Sequence, residues 1–168
     1  MTELEEVWSQ MLTDAGERAA MLGRAHVAEY LRLRATNDAI RARGVGWLIE
    51  TFIAIAAEEQ RARRDILIER EDPYRFRVGS STMRGALVSV RHGVRHMQLE
   101  AGWPRTPSDG IVREGALAVA RISHFGMPRE TAMFRLVHTA SLPNWLDADD
   151  IVVDTAALAL HFRVFSRD

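Results

Sequence analysis

The 168-residue chain has no cysteine, no lysine and only five prolines. It also lacks any apolar run long enough to cross a bilayer. The missing cysteine excludes a disulfide scaffold, a thiolate nucleophile and Cys-ligated zinc or iron–sulfur sites. The most apolar stretch, residues 47–57, carries Glu50 within it, whereas a membrane helix needs about 20 apolar residues. No membrane span is expected. Met1-Thr2-Glu3-Leu4-Glu5-Glu6 offers neither a positive n-region nor an apolar h-region, so no secretory signal is read there and the cytoplasm is the expected compartment.

With no lysine, all 22 basic residues are arginine. A GC-rich genome is sufficient cause, because arginine codons are GC-rich and lysine codons are not. The functional alternative is that arginine alone presents a planar fork of donors to carboxylate or phosphate. The net charge is −1 and the pI about 6.6, which argues against general nucleic-acid binding. Arginines nevertheless concentrate in the middle: residues 61–105 hold ten against five acids, while 1–60 hold six against ten and 106–168 hold six against eight. A local anion site, or contact with an acidic partner, would fall in that middle third.

At 47% hydrophobic and 27% charged residues, the composition is that of a globular protein with one core. Leu4, Val7, Trp8, Met11, Leu12, Ala15, Ala19 and Leu22 follow the spacing of an amphipathic helix face, and Thr2 with Glu5 reads as its capping box. Gly23 ends or kinks this helix. Thr36-Asn37-Asp38 offers a fresh cap, and Gly44-Val45-Gly46 reads as a local break. Beyond it, Trp47, Leu48, Ile49, Phe52, Ile53, Ala56 and Ala57 form a wide apolar face on a helix ending near Asp65. That face packs on the sheet that follows or on a second subunit. A DNA-binding helix-turn-helix is rejected, because the second helix carries no Arg, Asn or Gln where base edges would be read.

At Tyr74-Arg75-Phe76-Arg77-Val78 the period becomes two, bounded by Pro73 and Gly79, which predicts a half-buried strand. Residues 86–100 read as a hairpin with His92-Gly93 as its two-residue loop. In that register Val88 faces Met97 and Ala86 faces Leu99. Ala86, Val88, Val90, Met97 and Leu99 then form one apolar surface, with Arg91, Ser89, His96, Gln98 and Glu100 opposite. A second hairpin, 116–125 with 131–139, turns at Met127 to Arg129 and sets Arg121 against Arg135. Such a like-charge pair is destabilising. Either the register differs, or Glu100 or Glu114 intervenes, or an anion binds. Residues 141–145 read as a loop, and acid-rich 147–150 precedes a final helix along Ile151, Thr155, Leu158, Phe162 and Phe165, in preference to a strand.

Candidate chemistry is sparse. Gly79-Ser80-Ser81-Thr82 fits neither a nucleophile elbow nor a phosphate loop. His92 and His96 sit beside Arg91 and Arg95, which oppose a cation, so no metal is expected. His124 and His138 fall at opposite ends of the second hairpin and read as rim-of-core histidines. No set of catalytic residues stands out, and no cofactor is implied. Trp103 and Arg105, in the turn-rich 101–110 connection, could stack on a ligand and pair its charge. With Arg91, Arg95, His96, Arg121 and Arg135 they make up the candidate ligand-binding set.

These elements predict an α+β protein: helices over residues 1–65 packed on an antiparallel sheet of about five strands in 66–168, closed by a helix, in one domain overall. Two functions follow. The first is a non-enzymatic, self-associating interaction module, a dimer formed through the N-terminal helices. The second is a binder or enzyme for a small acidic molecule. The order of helices before a curved antiparallel sheet resembles nuclear-transport-factor-2-like folds, and that resemblance implies a pocket between helices and sheet.

Overall fold

A computed structural model describes residues 3–138 and 142–166. The capping-box threonine Thr2, the strand end at Thr139 and the loop start at Ser141 lie outside the described residues. Helix α1 (Glu3–Met21) ends at Gly23, whose φ of 69° is left-handed, and helix α2 (Ala25–Ala62) follows at once. The fold is α+β as expected, with an antiparallel meander after the helices: β1 (Leu67–Val78), β2 (Ser81–His92), β3 (Arg95–Trp103), β4 (Ala118–His124), β5 (Ala132–His138) and β6 (Pro143–Leu146). Helix α3 (Thr155–Phe165) closes it, with the Asp154 side chain accepting from the Ala157 amide at 2.8 Å, which satisfies one of the helix's open donors.

The expected break at Gly44-Val45-Gly46 is not there. Helix α2 runs unbroken through it, and Thr36 donates back to the Arg32 carbonyl at 3.0 Å instead of capping a new turn. Gly44 is required by packing. A Cβ on it would lie 2.6 Å from Leu136 Cδ2, and Trp145 Nε1 donates to the Gly44 carbonyl at 2.9 Å. From that contact onward Val45, Leu48, Ile49, Phe52 and Ala56 are buried against the sheet. The apolar face after residue 47 is therefore covered by its own chain, although Trp47 itself stays exposed.

Both hairpins keep the expected faces but not the expected partners. The first loop is Gly93-Val94, with Gly93 at φ 58°, the glycine-first arrangement of a II′ turn. Val88 therefore faces Leu99 and Val90 faces Met97. In the second hairpin Arg121 faces Met133 and Arg135 faces Val119. Each pairing has moved by two residues, an even shift, so every side chain stays on its predicted side. Residues 143–145, read as loop, belong to the sixth strand, which ends at Leu146. Ile151 is exposed and precedes α3, so it is not on the helix face that buries Leu158, Phe162 and Phe165.

All three helices lie on one side of the sheet or beside it. Helix α2 and helix α3 cover the face carrying Ala86, Val88, Val90, Leu99, Ala120 and Ile122, and Phe52 meets Phe162 at 4.9 Å between ring centroids. No helix covers the other face among the described residues. It carries a smaller apolar cluster of Phe76, Met83 and Val119 with Tyr74, Val78 and Val112.

The glycines separate two effects that stability measurements can read. Nothing lies within 4 Å of a Cβ built on helical Gly46, whereas one on Gly85 would meet the Ala101 carbonyl oxygen at 1.9 Å. Gly46→Ala should raise stability by about 1 kcal/mol through helix propensity. Gly85→Ala should lower it by about 3 kcal/mol, the upper end of overpacking costs. Urea unfolding curves of the two variants would check both signs.

Candidate functional site

The seven residues singled out in the sequence do not converge. Arg91 and His96 are cross-strand neighbours on the open face, Arg91 Nη2 reaching Glu69 at 3.9 Å. Arg95 points to the helix side and donates to the Phe165 carbonyl at 2.9 Å, where a cation complements the C-terminal end of α3. Trp103 is buried in the main core with the Arg105 guanidinium 3.7 Å from its ring centroid. Its stacking partner is thus internal. Arg84, absent from the candidate set, forks onto Asp109 with two 3.0 Å bonds. Asp109 also accepts from the amides of Arg105 and Thr106, and the Arg84 guanidinium first among these holds its carboxyl well below the ordinary range.

Arg121 and Arg135 share the open face, and each has its own acid. Arg121 Nε donates to buried Glu100 at 2.7 Å, and the Tyr74 hydroxyl approaches the other Glu100 oxygen at 3.4 Å. Burial, then the Glu100 charge, pushes the Tyr74 phenol up. Arg135 pairs with Glu114 at 3.2 Å and with Asp150. Of the explanations the like-charge puzzle allowed, the changed register is the one observed; Glu100 and Glu114 each bind one of the two arginines and do not stand between them. The arginines act as internal ties.

Core side chains of α2, among them Leu48, Ile49, Phe52 and Ala56, pack against the sheet. A cleft of about 300 Å³ lies between α3 and β5, lined in part by Ala132, Leu160 and His161 and by none of the predicted arginines. A larger cleft of about 440 Å³ opens at one end of the open face and takes in Met83, Val119, Met133 and Arg135.

Sequence reading missed a histidine pair. His124 Nε2 and His161 Nδ1 stand 3.3 Å apart between β4 and α3, and His124 Nδ1 is buried with no partner among the described residues. A bare lone pair there is cheaper than an orphan N–H, which assigns His124 as the Nε2–H tautomer donating to His161. His161 fell on the predicted final helix, four residues from Ala157 and three from Leu158, but only the tertiary fold brings it to His124. His92, by contrast, meets Asp65 at 2.8 Å.

The other unusual surface is the helical arm formed by α1 and residues 25–39 of α2. Small residues seat the two helices together, with Ala19 and Ala28 buried and Gly16 facing Leu31. Trp8 lies under Arg34 at 5.5 Å. The α2 stripe that meets the sheet at Gly44 and Leu48 continues at helical spacing through Ile40, Asn37, Leu33 and Tyr30. There Leu33 is 59% exposed, while Met11 on α1 is 56% exposed beside Val7. Comparison with known proteins gives no match: no family model fits the chain, and neither a curated protein nor a solved structure is significantly similar to it.

Burial pulls the imidazoles of His96, His124 and His161 below their ordinary value, with Arg91 adding to the effect at His96 and His124 adding to it at His161. The unfolded chain therefore takes up protons first. Stability is full above the ordinary histidine value near 6.5 and declines as pH falls from there toward the folded-state values. Melting temperatures between pH 7 and 5 should drop accordingly, and the double variant His124→Phe, His161→Phe should flatten the profile.

Proposed function

We propose that this protein is a non-enzymatic, self-associating interaction module whose helical arm pairs with the arm of a second copy. The observation that carries this reading is the row of exposed apolar side chains on an arm that has no third layer among the described residues. A two-helix hairpin can bury only one stripe of each helix against its mate. Here Val7 and Met11 on α1, and Tyr30 and Leu33 on α2, remain in solvent.

Charge supports a second copy as the occupant. Helix α1 carries five acids and one arginine, while residues 24–43 carry five arginines and two acids. A twofold axis would set the acidic helix of one protomer on the basic helix of the other, and the same pairing would recur across the axis. The 19-residue α1 is about 28 Å long, and two helices side by side span about 20 Å. A face of those dimensions, about 560 Å² in projection, is close to the lower bound of a stable interface, about 600 Å² per partner. The four helices would form an antiparallel bundle, burying the stripes each hairpin leaves open.

Multi-angle light scattering across the micromolar range should give a dimer. Met11→Glu combined with Leu33→Glu should give a monomer with unchanged helix content, since exposed positions cost the folded chain within about 0.5 kcal/mol. A strict monomer of the native chain over that range would overturn the proposal.

A further inference from the structure

We infer that the cleft on the open face of the sheet is a binding site for a small amphiphile, an apolar body bearing one amine. This does not rest on self-association. The cleft measures about 440 Å³, within the range of small-molecule sites, about 300–1,000 Å³. Met83 and Val119 are buried and form its floor, and Met133, partly exposed, forms a reachable wall. Two thioethers give that surface an adaptable, polarizable lining suited to alkyl or aryl groups.

The charged groups decide the sign of the ligand. Glu114, Arg135 and Asp147 line the cleft. Arg135, with its side chain only 25% exposed, is already bound by Glu114 and by Asp150. Two carboxylates thus bind the one guanidinium and Asp147 lines the same cleft, so negative charge is in excess among the described side chains. An incoming carboxylate would have to displace Glu114 or Asp150 and would face Asp147 as well. An ammonium needs no displacement. Glu114 contacts Arg135 through Oε2, and Asp147 accepts the Asp149 and Ile151 amides through Oδ1. The second oxygen of each carboxylate accepts no hydrogen bond among the described residues.

The backbone holds these acids in place. Glu114 and Asp150 are the two non-glycine residues with left-handed φ among the described residues, at 60° and 63°, and both deliver their carboxylates to Arg135. Residues in that region persist where surrounding contacts enforce them. Glu114 and Asp147 border the cleft from separate loops, after β3 and after β6.

Isothermal titration calorimetry of the full chain at pH 7 with decylamine, decanol and decanoate tests this. The expected order is decylamine about tenfold tighter than decanol, with decanoate weakest, at one site per chain. Glu114→Gln with Asp147→Asn should reduce decylamine to the affinity of decanol. Met133→Trp should fill the cleft and abolish binding of all three, with thermal melts showing each variant folded. Decanoate binding tightest, amine and alcohol binding alike, no binding by any of the three, or full binding by folded Met133→Trp would overturn the inference.

Discussion

The close approach of α2 to β5 and β6 at Gly44 is the contact on which the rest of the molecule depends. Leu136 occupies the space a side chain would need, and the Trp145 indole ties the helix carbonyl at that residue to the sheet. Downstream, the helix lies close enough for Leu48, Ile49 and Phe52 to be wholly enclosed. Upstream, the same rigid helix leaves the sheet and must find other cover. It gets half of that cover from α1. One continuous helix is thereby both the centre of the core and the spine of the arm, and the exposed stripe on the arm is the unburied extension of the stripe that builds the core.

The arginine-only basic set takes on meaning from where its partners come from. Arg84 ties β2 to the loop carrying Asp109, Arg121 ties β4 to β3 through Glu100, and Arg135 ties β5 to two loops through Glu114 and Asp150. Arg95 holds the end of α3, and Arg41 binds the Leu117 carbonyl at 2.9 Å. A guanidinium serves such roles well because several donors in a fixed fork can hold two acceptors at once. The fold uses these arginines as ties between segments distant in sequence.

What was legible and what was not divides along physical lines. Strand faces were readable because the period of two survives any even shift in register, so Ala86, Val88, Val90, Met97 and Leu99 fall on the buried side although none has the partner assigned to it. The last helix was readable from Leu158, Phe162 and Phe165, but it starts at Thr155 behind the Asp154 cap and not at the acid-rich residues 147–150. Strand β6 was not, because four residues including a proline and an asparagine carry too little pattern. Gly44-Val45-Gly46 was misread because a glycine that permits a turn and a glycine that admits a neighbour look the same locally.

The sequence by itself determined the helical and strand periodicities, the α+β class, the exclusion of cysteine chemistry and the concentration of arginine in the middle third. These are encoded by residues a few positions apart, so a linear reading can recover them. Tertiary structure alone decided which acid meets which arginine, that His124 meets His161, and that α2 packs against the sheet while a cleft opens on the opposite face. Each of those contacts joins residues far apart in the chain, as Gly44 and Trp145 are. Their positions depend on every register and loop between them at once, and no local pattern carries that information.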